Sequence, residues 1–432
     1  MPDRTRFAES ARSQPGLVCG FLIDALGTGM FLPFSLLFFL DTTSLSLARI
    51  GFGLSIAAVV RIPVTIAAGP LSDRFGPRSA IAASQLLQAV GFVGYLFVHG
   101  FWQLVAAAVL VQIGNSIYWV AYPPLIFAIT GGGEREHWFA LCTALRTAGV
   151  AVGGVIAGAT VGFGGRDGFL AVAAVNAASF VLGAFFFSRV RRPGPDAPGR
   201  ETSGRDSQHT DPDAGVERGW RPMLRNYAFL GFVVVNLGLT FLSLATQLAL
   251  PVFLVKNLGL AKWAPGLALA LNAVLMTVSA PVVLAAISGR RRHRVLTVSQ
   301  ALLIVSFGVF LLLRLLPAGA AIALVLIAIL PFTTAEVMQA AVVPAVVTES
   351  ATPQTLGRYM SAYQMTFSIG DIIVPTIVTV ALHTGAAALW LPMAAIALLD
   401  LIVVGMLSQR MPALTQRVGA AAPEPLEESR GV

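Results

Sequence analysis

The chain has 432 residues, of which 56% are hydrophobic and only 12% are charged. Soluble domains carry about 25% charged residues, and a mean hydropathy of +0.78 leaves too little polar surface to cover them, so a water-soluble enzyme is excluded. The 29 Lys and Arg against 21 Asp and Glu give +8, but no basic stripe with interleaved aromatics accompanies that excess, so nucleic acid is not an expected partner.

A bilayer core about 30 Å thick calls for roughly 20 apolar residues in a helix. Runs of that length predict twelve spans, over 16–39, 50–68, 79–98, 101–129, 138–163, 168–188, 226–254, 264–288, 295–316, 319–347, 357–382 and 386–408. The first follows a short Arg-bearing tail, is too long for a signal h-region and has no A-x-A site after it, so no cleavable signal is expected. Residues 189–225, rich in Pro, Gly, Asp and Arg, cannot bury a core and read as a linker. The expected organisation is an all-α membrane protein with an N-terminal tail 1–15 and a six-helix bundle 16–188. After the linker 189–225 come a second bundle 226–408 and a tail 409–432.

Basic residues set the orientation. With a cytoplasmic N-terminus, that side receives 22 Lys and Arg and the other side 5, while Arg61 and Arg146 fall inside spans. Both termini are therefore expected in the cytoplasm, with the chain crossing the inner membrane many times. The halves also repeat. Ser84-Gln85 opens the third span and Ser299-Gln300 the ninth, and Pro123 precedes Gly149 by the same interval that separates Pro344 from Gly370. A shift in numbering that grows slightly along the chain carries one half onto the other in the same direction. That relation predicts two bundles facing each other across a cavity.

The loop after the second span reads Gly69-Pro70-Leu71-Ser72-Asp73-Arg74-Phe75-Gly76-Pro77-Arg78. It resembles the G-x-L-x-D-R-x-G-R-R/K signature of the major facilitator superfamily, with Pro77 where a basic residue is frequent. The resemblance implies the major facilitator fold, a rocking mechanism, and a cytoplasmic gate built on Gly69, Asp73, Arg74, Gly76 and Arg78. Other features are similar to the twelve-span drug:proton antiporters of multidrug and antibiotic efflux. Asp24 precedes Pro33 at a similar spacing to the acid and proline of that group's first-span motif, and Gly149-x-x-x-Gly153-Gly154-x-x-Ala157-Gly158 looks like its fifth-span G-x-x-x-G-P-x-x-G-G. Gly154 stands for the proline, and Leu110 stands where the fourth-span pattern has an arginine.

Ionisable groups inside a bilayer cost at least about 2.5–3.5 kcal/mol each and mark function by default. Six occur here: Asp24, Arg61, Arg146, Glu336, Asp371 and Asp400. A carboxyl group taken out of water favours its protonated form, and can then load and release a proton. Asp24 and Glu336 are the first candidates for proton coupling, with Asp371 a third; permanent pairing with Arg61 or Arg146 is the alternative. Asp400, in the last span, fits structural pairing or a wet groove. Arg61 can snorkel or meet an acid on span one or eleven, and Arg146 can hold a cavity carboxylate, a substrate anion or a structural partner.

The repeat aligns Asp24 with Asn236 and Glu336 with Asn115, so each acid corresponds to an amide that hydrogen-bonds without titrating. Asn115, Tyr118, Trp119 and Tyr122 share one helical face. With Arg146 and Asn236 they form the predicted substrate cavity, where aromatics would suit flat or cationic lipophilic compounds; helix packing is the competing role for that stripe.

Cys19 and Cys142 have no Cys or His at ligand spacing, so neither a metal nor a cofactor is expected. No H-E-x-x-H or G-x-S-x-G constellation occurs, hence no catalytic residues, and no G-x-x-x-x-G-K-[ST] loop, hence no direct drive by ATP. One proton moving down 100 mV supplies about 2.3 kcal/mol, enough for a gradient of about fiftyfold. The expected activity is monomeric, proton-coupled export of a small lipophilic compound, with uptake symport of a metabolite as the alternative.

Overall fold

The computed structural model describes residues 14–129, 135–190, 221–313, 318–351 and 356–418; among these the chain is helical and no strand forms. In the first half α1 spans Pro15–Thr42, α2 runs as Leu47–Val59 and Arg61–Phe75, α3 is Pro77–Tyr95 and α4 Phe101–Ile129. The continuous stretch Arg135–Ser188 is broken at Gly165, whose φ of 53° is left-handed and reverses the chain, giving α5 and α6. The second half contains α7 (Tyr227–Asn257), α8 (Ala264–Ile287), α9 (Arg292–Leu312), α10 (Ala318–Glu349), α11 (Leu356–Thr384) and α12 (Ala386–Leu407).

Ten helices among the described residues are long and apolar enough to cross a membrane. One of them, Leu141–Ser188, is far longer than a bilayer core is thick at 1.5 Å of rise per residue, and must cross twice by turning at Gly165. The third predicted span falls short on hydropathy because Ser84, Gln85 and Gln88 interrupt it. All three are buried inside the first bundle, so the apolar faces of α3 are the ones left for lipid.

The internal repeat is present in atomic detail. The Ser84 hydroxyl donates to the Ile81 carbonyl at 2.7 Å, and its counterpart in the second half, Ser299, donates to Leu296 at 2.8 Å. Phe92 and Tyr95 pack in an aromatic cluster with Phe31 and Phe39, while their counterparts Phe307 and Phe310 pack around the buried Trp390. Lipid tails are as apolar as these rings, so close packing rather than exclusion of water holds them together. α1 tightens to a 3₁₀ turn at Leu32–Phe34, and α7 loosens to a π-helical turn at Phe253–Asn257 just past Pro251. Pro33 and Pro251 each remove a backbone donor at or next to the turn where their helix departs from α geometry.

Among the described residues, two pairs of helices make the main contact between the halves. α2 lies against α11, where a Cβ on Gly51 would run into Thr379 and the Pro375 carbonyl. α5 lies against α8, where a Cβ on Gly266 would meet the Gly154 carbonyl oxygen at 2.6 Å and Gly158 Cα at 2.8 Å. Small residues at such crossings let backbones touch.

Candidate functional site

A cavity of about 430 Å³ lies between the halves. Leu32 and Pro33 of α1 and Arg146, Thr147 and Val150 of α5 form one wall. The other wall comes from α7, α8, α10 and α11 and includes Asn236, Ser243, Asn272, Met276, Glu336, Gln339, Tyr363 and Phe367.

Glu336 is the acid of this cavity. Its Oε1 accepts from the Ser243 hydroxyl of α7 at 2.7 Å, and its Oε2 from Asn272 Nδ2 of α8 at 3.2 Å. Gln247 Nε2 donates to Ser243 Oγ at 3.2 Å, and Thr333 of α10 donates to the Asn272 carbonyl oxygen. One half-buried carboxyl group therefore ties three helices together. Two further polar ties are Asn236, whose Nδ2 donates to Thr366 Oγ1 of α11 at 2.6 Å, and Gln339, whose Nε2 donates to Ser299 Oγ of α9 at 3.4 Å. Across the cavity, the half-buried Arg146 guanidinium sits 4.7 Å from the centre of the Trp119 ring, a cation–π contact.

Glu336, Arg146 and Asn236 thus line one cavity together. The other predicted residues lie elsewhere. Asp24 is 4% exposed inside the first bundle and accepts from Gln85 Nε2 at 2.9 Å. Tyr118 is buried edge-on against Phe21 and Phe187, and Tyr122 packs on Phe21, so both belong to the packing between α1, α4 and α6. Trp119 stands edge-on to Tyr118 and Tyr122 and touches the cavity wall through Arg146, and Asn115 is half-buried outside the cavity lining. A shared helical face specifies which residues travel together, but not that the face turns toward the other bundle.

Asp371 also lies outside the cavity. It pairs with Arg61 of α2, the acid on span eleven that Arg61 needs. Asp400 is 5% exposed, abuts Gly238 of α7, and has no cationic partner among the described residues. In the predicted gate, α2 ends at Gly76, whose φ of 83° and N–H to the Ser72 carbonyl at 2.8 Å close the helix. Arg74 extends over the Phe75 ring and Arg78 is half-buried; at positions 69 and 73 only the helical backbone is described.

Ser243, Gln247 and Asn272 are additions to the predicted set. The first two share a helical face with Asn236 and Thr240, as their three- and four-residue spacing dictates. Asn272 is the lone amide of an apolar span. Both signals are in the sequence, but they are polar without being charged and so escape a search for charges alone.

The cavity has a closed end. Among the described residues, the polar contacts between the bundles lie at or beyond mid-helix on the side away from the 189–225 linker. Lys262 donates to Asp41 at 3.3 Å and Thr376 Oγ1 to Ser55 at 2.8 Å, and Arg61 pairs with Asp371. The glycine contacts at 51, 154, 158 and 266 lie on that side as well.

Comparison with known proteins agrees with this geometry. The Major Facilitator Superfamily family model matches residues 17–375. The multidrug resistance protein MdtH of Edwardsiella ictaluri is 23% identical over 265 residues, covering 59% of this chain and 60% of that protein. The class G tetracycline resistance protein of Vibrio anguillarum is 27% identical over 166 residues, covering 38% of this chain and 42% of that protein. The chain therefore spans three-fifths or less of the length of these curated relatives. Among solved structures, the nucleoside transporter NupG superposes with a TM-score of 0.71 at 12% identity, over 92% of this chain and 98% of that one. A bacterial homologue of the human lysosomal transporter Spinster, inward-facing and occupied, gives 0.67 at 15% identity, over 94% and 98%. These structural likenesses show the fold, and the family model runs through both of its halves: the chain belongs to the major facilitator superfamily of multi-pass membrane transporters.

Proposed function

We propose that this transporter exports a small lipophilic compound in exchange for protons, with Glu336 as the group that carries the proton. The observation that carries this reading is the place of Glu336: an ionisable side chain in the wall of the cavity between the bundles, held by Ser243 and Asn272. A proton arriving there changes the hydrogen bonding of α7, α8 and α10 at once. The cavity volume falls in the range of small-molecule sites, about 300–1,000 Å³, and the surface its walls expose is mostly apolar, with polar side chains of α5, α7, α8 and α10 set into it. That lining, and the drug-resistance names of the relatives MdtH and the tetracycline resistance protein, favour a lipophilic cargo.

In this proposal the bundles are residues 16–188 and 226–408, the linker and both termini face the cytoplasm of the inner membrane, and the chain works as a monomer. The contacts away from the linker then make this an inward-open state. Asn236 and Arg146 contact cargo, while Asp24, sealed by Gln85, and Asp371, paired with Arg61, serve structure. The motif Gly69, Asp73, Arg74, Gly76 and Arg78 acts as the cytoplasmic gate.

The test is accumulation of a fluorescent lipophilic dye in everted vesicles under an imposed proton gradient. The wild type is expected to hold a gradient of up to about fiftyfold per proton at 100 mV. Glu336→Gln, which keeps the side chain's size and one acceptor oxygen but cannot titrate, is expected to equilibrate the dye without concentrating it. Asp24→Asn is expected to keep uphill transport. Concentration of dye by Glu336→Gln, or proton-driven movement outward from everted vesicles, would overturn the proposal.

A further inference from the structure

A second cavity, of about 500 Å³, lies at the linker-side end of the second half, away from the central one. Its polar lining is arginine: Arg290, Arg291 and Arg294 from the start of α9, and Arg417 from the segment after α12. No acid lines it. Arg292, in the middle of the run, points elsewhere; it is buried and makes a two-pronged ion pair with Glu349 of α10, both contacts at 2.5 Å.

The backbone gathers these charges. Gly289, at a φ of 72°, turns the chain between α8 and α9, and residues 416–418 return to pair with that turn. Gly289 donates to the Val418 carbonyl at 2.9 Å, Val418 to Arg290 at 2.9 Å and Arg292 to Gln416 at 3.0 Å. Arg291 and Arg417 thereby form an antiparallel bridge of the non-hydrogen-bonded type, the type in which opposed side chains come closest. Like charges directly opposed destabilise such a pair. Charge needed only for membrane orientation can be spread along the loops, whereas here the tail folds back to set one arginine against another. An anion between them reverses the sign of that interaction, and guanidinium groups match phosphate oxygens in two-pronged contacts.

The rest of the site is apolar. Met338 and Val298 line the cavity. Beyond Arg294 the outward face of α9 continues through Val298, Val305 and Leu312, which are 44%, 56% and 52% exposed. A basic head position leads straight into a lipid-facing apolar track. Basic pockets beside transmembrane helices suit anionic headgroups.

We propose that Arg290, Arg291, Arg294 and Arg417 form a binding site for the phosphate of an anionic phospholipid, whose acyl chain lies along α9. The site is independent of the transport proposal, and its test does not involve transport. The purified full-length protein, delipidated in neutral detergent, is titrated with phosphatidylglycerol or phosphatidylcholine, and retained lipid is read by native mass spectrometry. Phosphatidylglycerol is expected to be retained over phosphatidylcholine. Arg291→Gln with Arg417→Gln is expected to weaken retention by roughly thirtyfold, the effect of two surface arginines, and Arg294→Gln alone by roughly fivefold. The exposed Arg294 keeps the test open if the double variant fails to fold. Equal retention of both lipids, or variants that keep phosphatidylglycerol as the wild type does, would overturn the site. Displacement of the lipid by millimolar inorganic phosphate would assign the pocket to a free anion and overturn the lipid.

Discussion

The α2–α11 and α5–α8 seams join the same two bundles at positions related by the internal repeat, yet they are built from different chemistry. Gly51 corresponds to Gly266, and Pro375 and Thr379 correspond to Gly154 and Gly158. The close approach of backbones is therefore made twice. Around it, the α2–α11 seam adds Ser55 bonded to Thr376 and Arg61 paired with Asp371. The repeat partners of those four residues are Ala270, Val155, Met276 and Val150, which carry no polar side chain at all. Directional contacts hold one register and must break when the helices move. Small and apolar faces can turn against each other without breaking anything. The same fold thus supplies a seam that resists motion and one that permits it.

The strongest way to break this comparison is to block the smooth seam. Leucine at Gly266 has to displace the backbone of α5 at Gly154 and Gly158, which has no flexible end to give way. Gly266→Leu is expected to lower stability by about 3 kcal/mol, the upper range for overpacking, and to abolish transport. Thermal unfolding in detergent beside the vesicle assay checks this. A normal melt with normal transport would mean that the seam is loose.

How much of this was legible in the sequence depended on whether a residue carries a charge. Arg61 cannot sit in lipid alone, so it either snorkels or meets an acid on span one or eleven, and in the structure it meets Asp371 of span eleven. Glu336 stood out for the same reason. The twelve spans and the repeat followed from apolar runs and paired landmarks, although Gly165 had to turn one long helical stretch back on itself. Asn115 and Tyr118 were misplaced because helical periodicity says nothing about which neighbour a face meets. Ser243 and Asn272 carry no charge and match no acid across the repeat, so the sequence marks them less strongly than Glu336.

The ion pair gives the next largest effect. Removing one member leaves the other charge without its partner, which costs about 3–5 kcal/mol when both are fully buried. Here the side chains keep 14% and 28% of their exposure, so Asp371→Asn is expected to cost about 2 kcal/mol. Combining it with Arg61→Gln should cost less than the two single changes added together, with a coupling of about 1–2 kcal/mol in a double-mutant cycle read by thermal unfolding. Strict additivity would remove the ion pair from the comparison.

The smallest change converts one seam toward the other. Ser55 accepts from both the backbone N–H and the hydroxyl of Thr376, at 3.3 and 2.8 Å, whereas its repeat partner is already Ala270. Ser55→Ala therefore gives α2 the residue that α8 has. Losing this contact is expected to cost about 1 kcal/mol of stability. If the contact must break for the bundles to rock, the same loss lowers the barrier to rocking, and turnover rises by up to about fivefold. The proton-driven gradient should stay unchanged, because Glu336 is untouched. Initial rates and steady-state gradients in the same vesicles separate the two quantities. A slower rate with an intact gradient would show that the polar seam positions the bundles for transport and does not resist their motion.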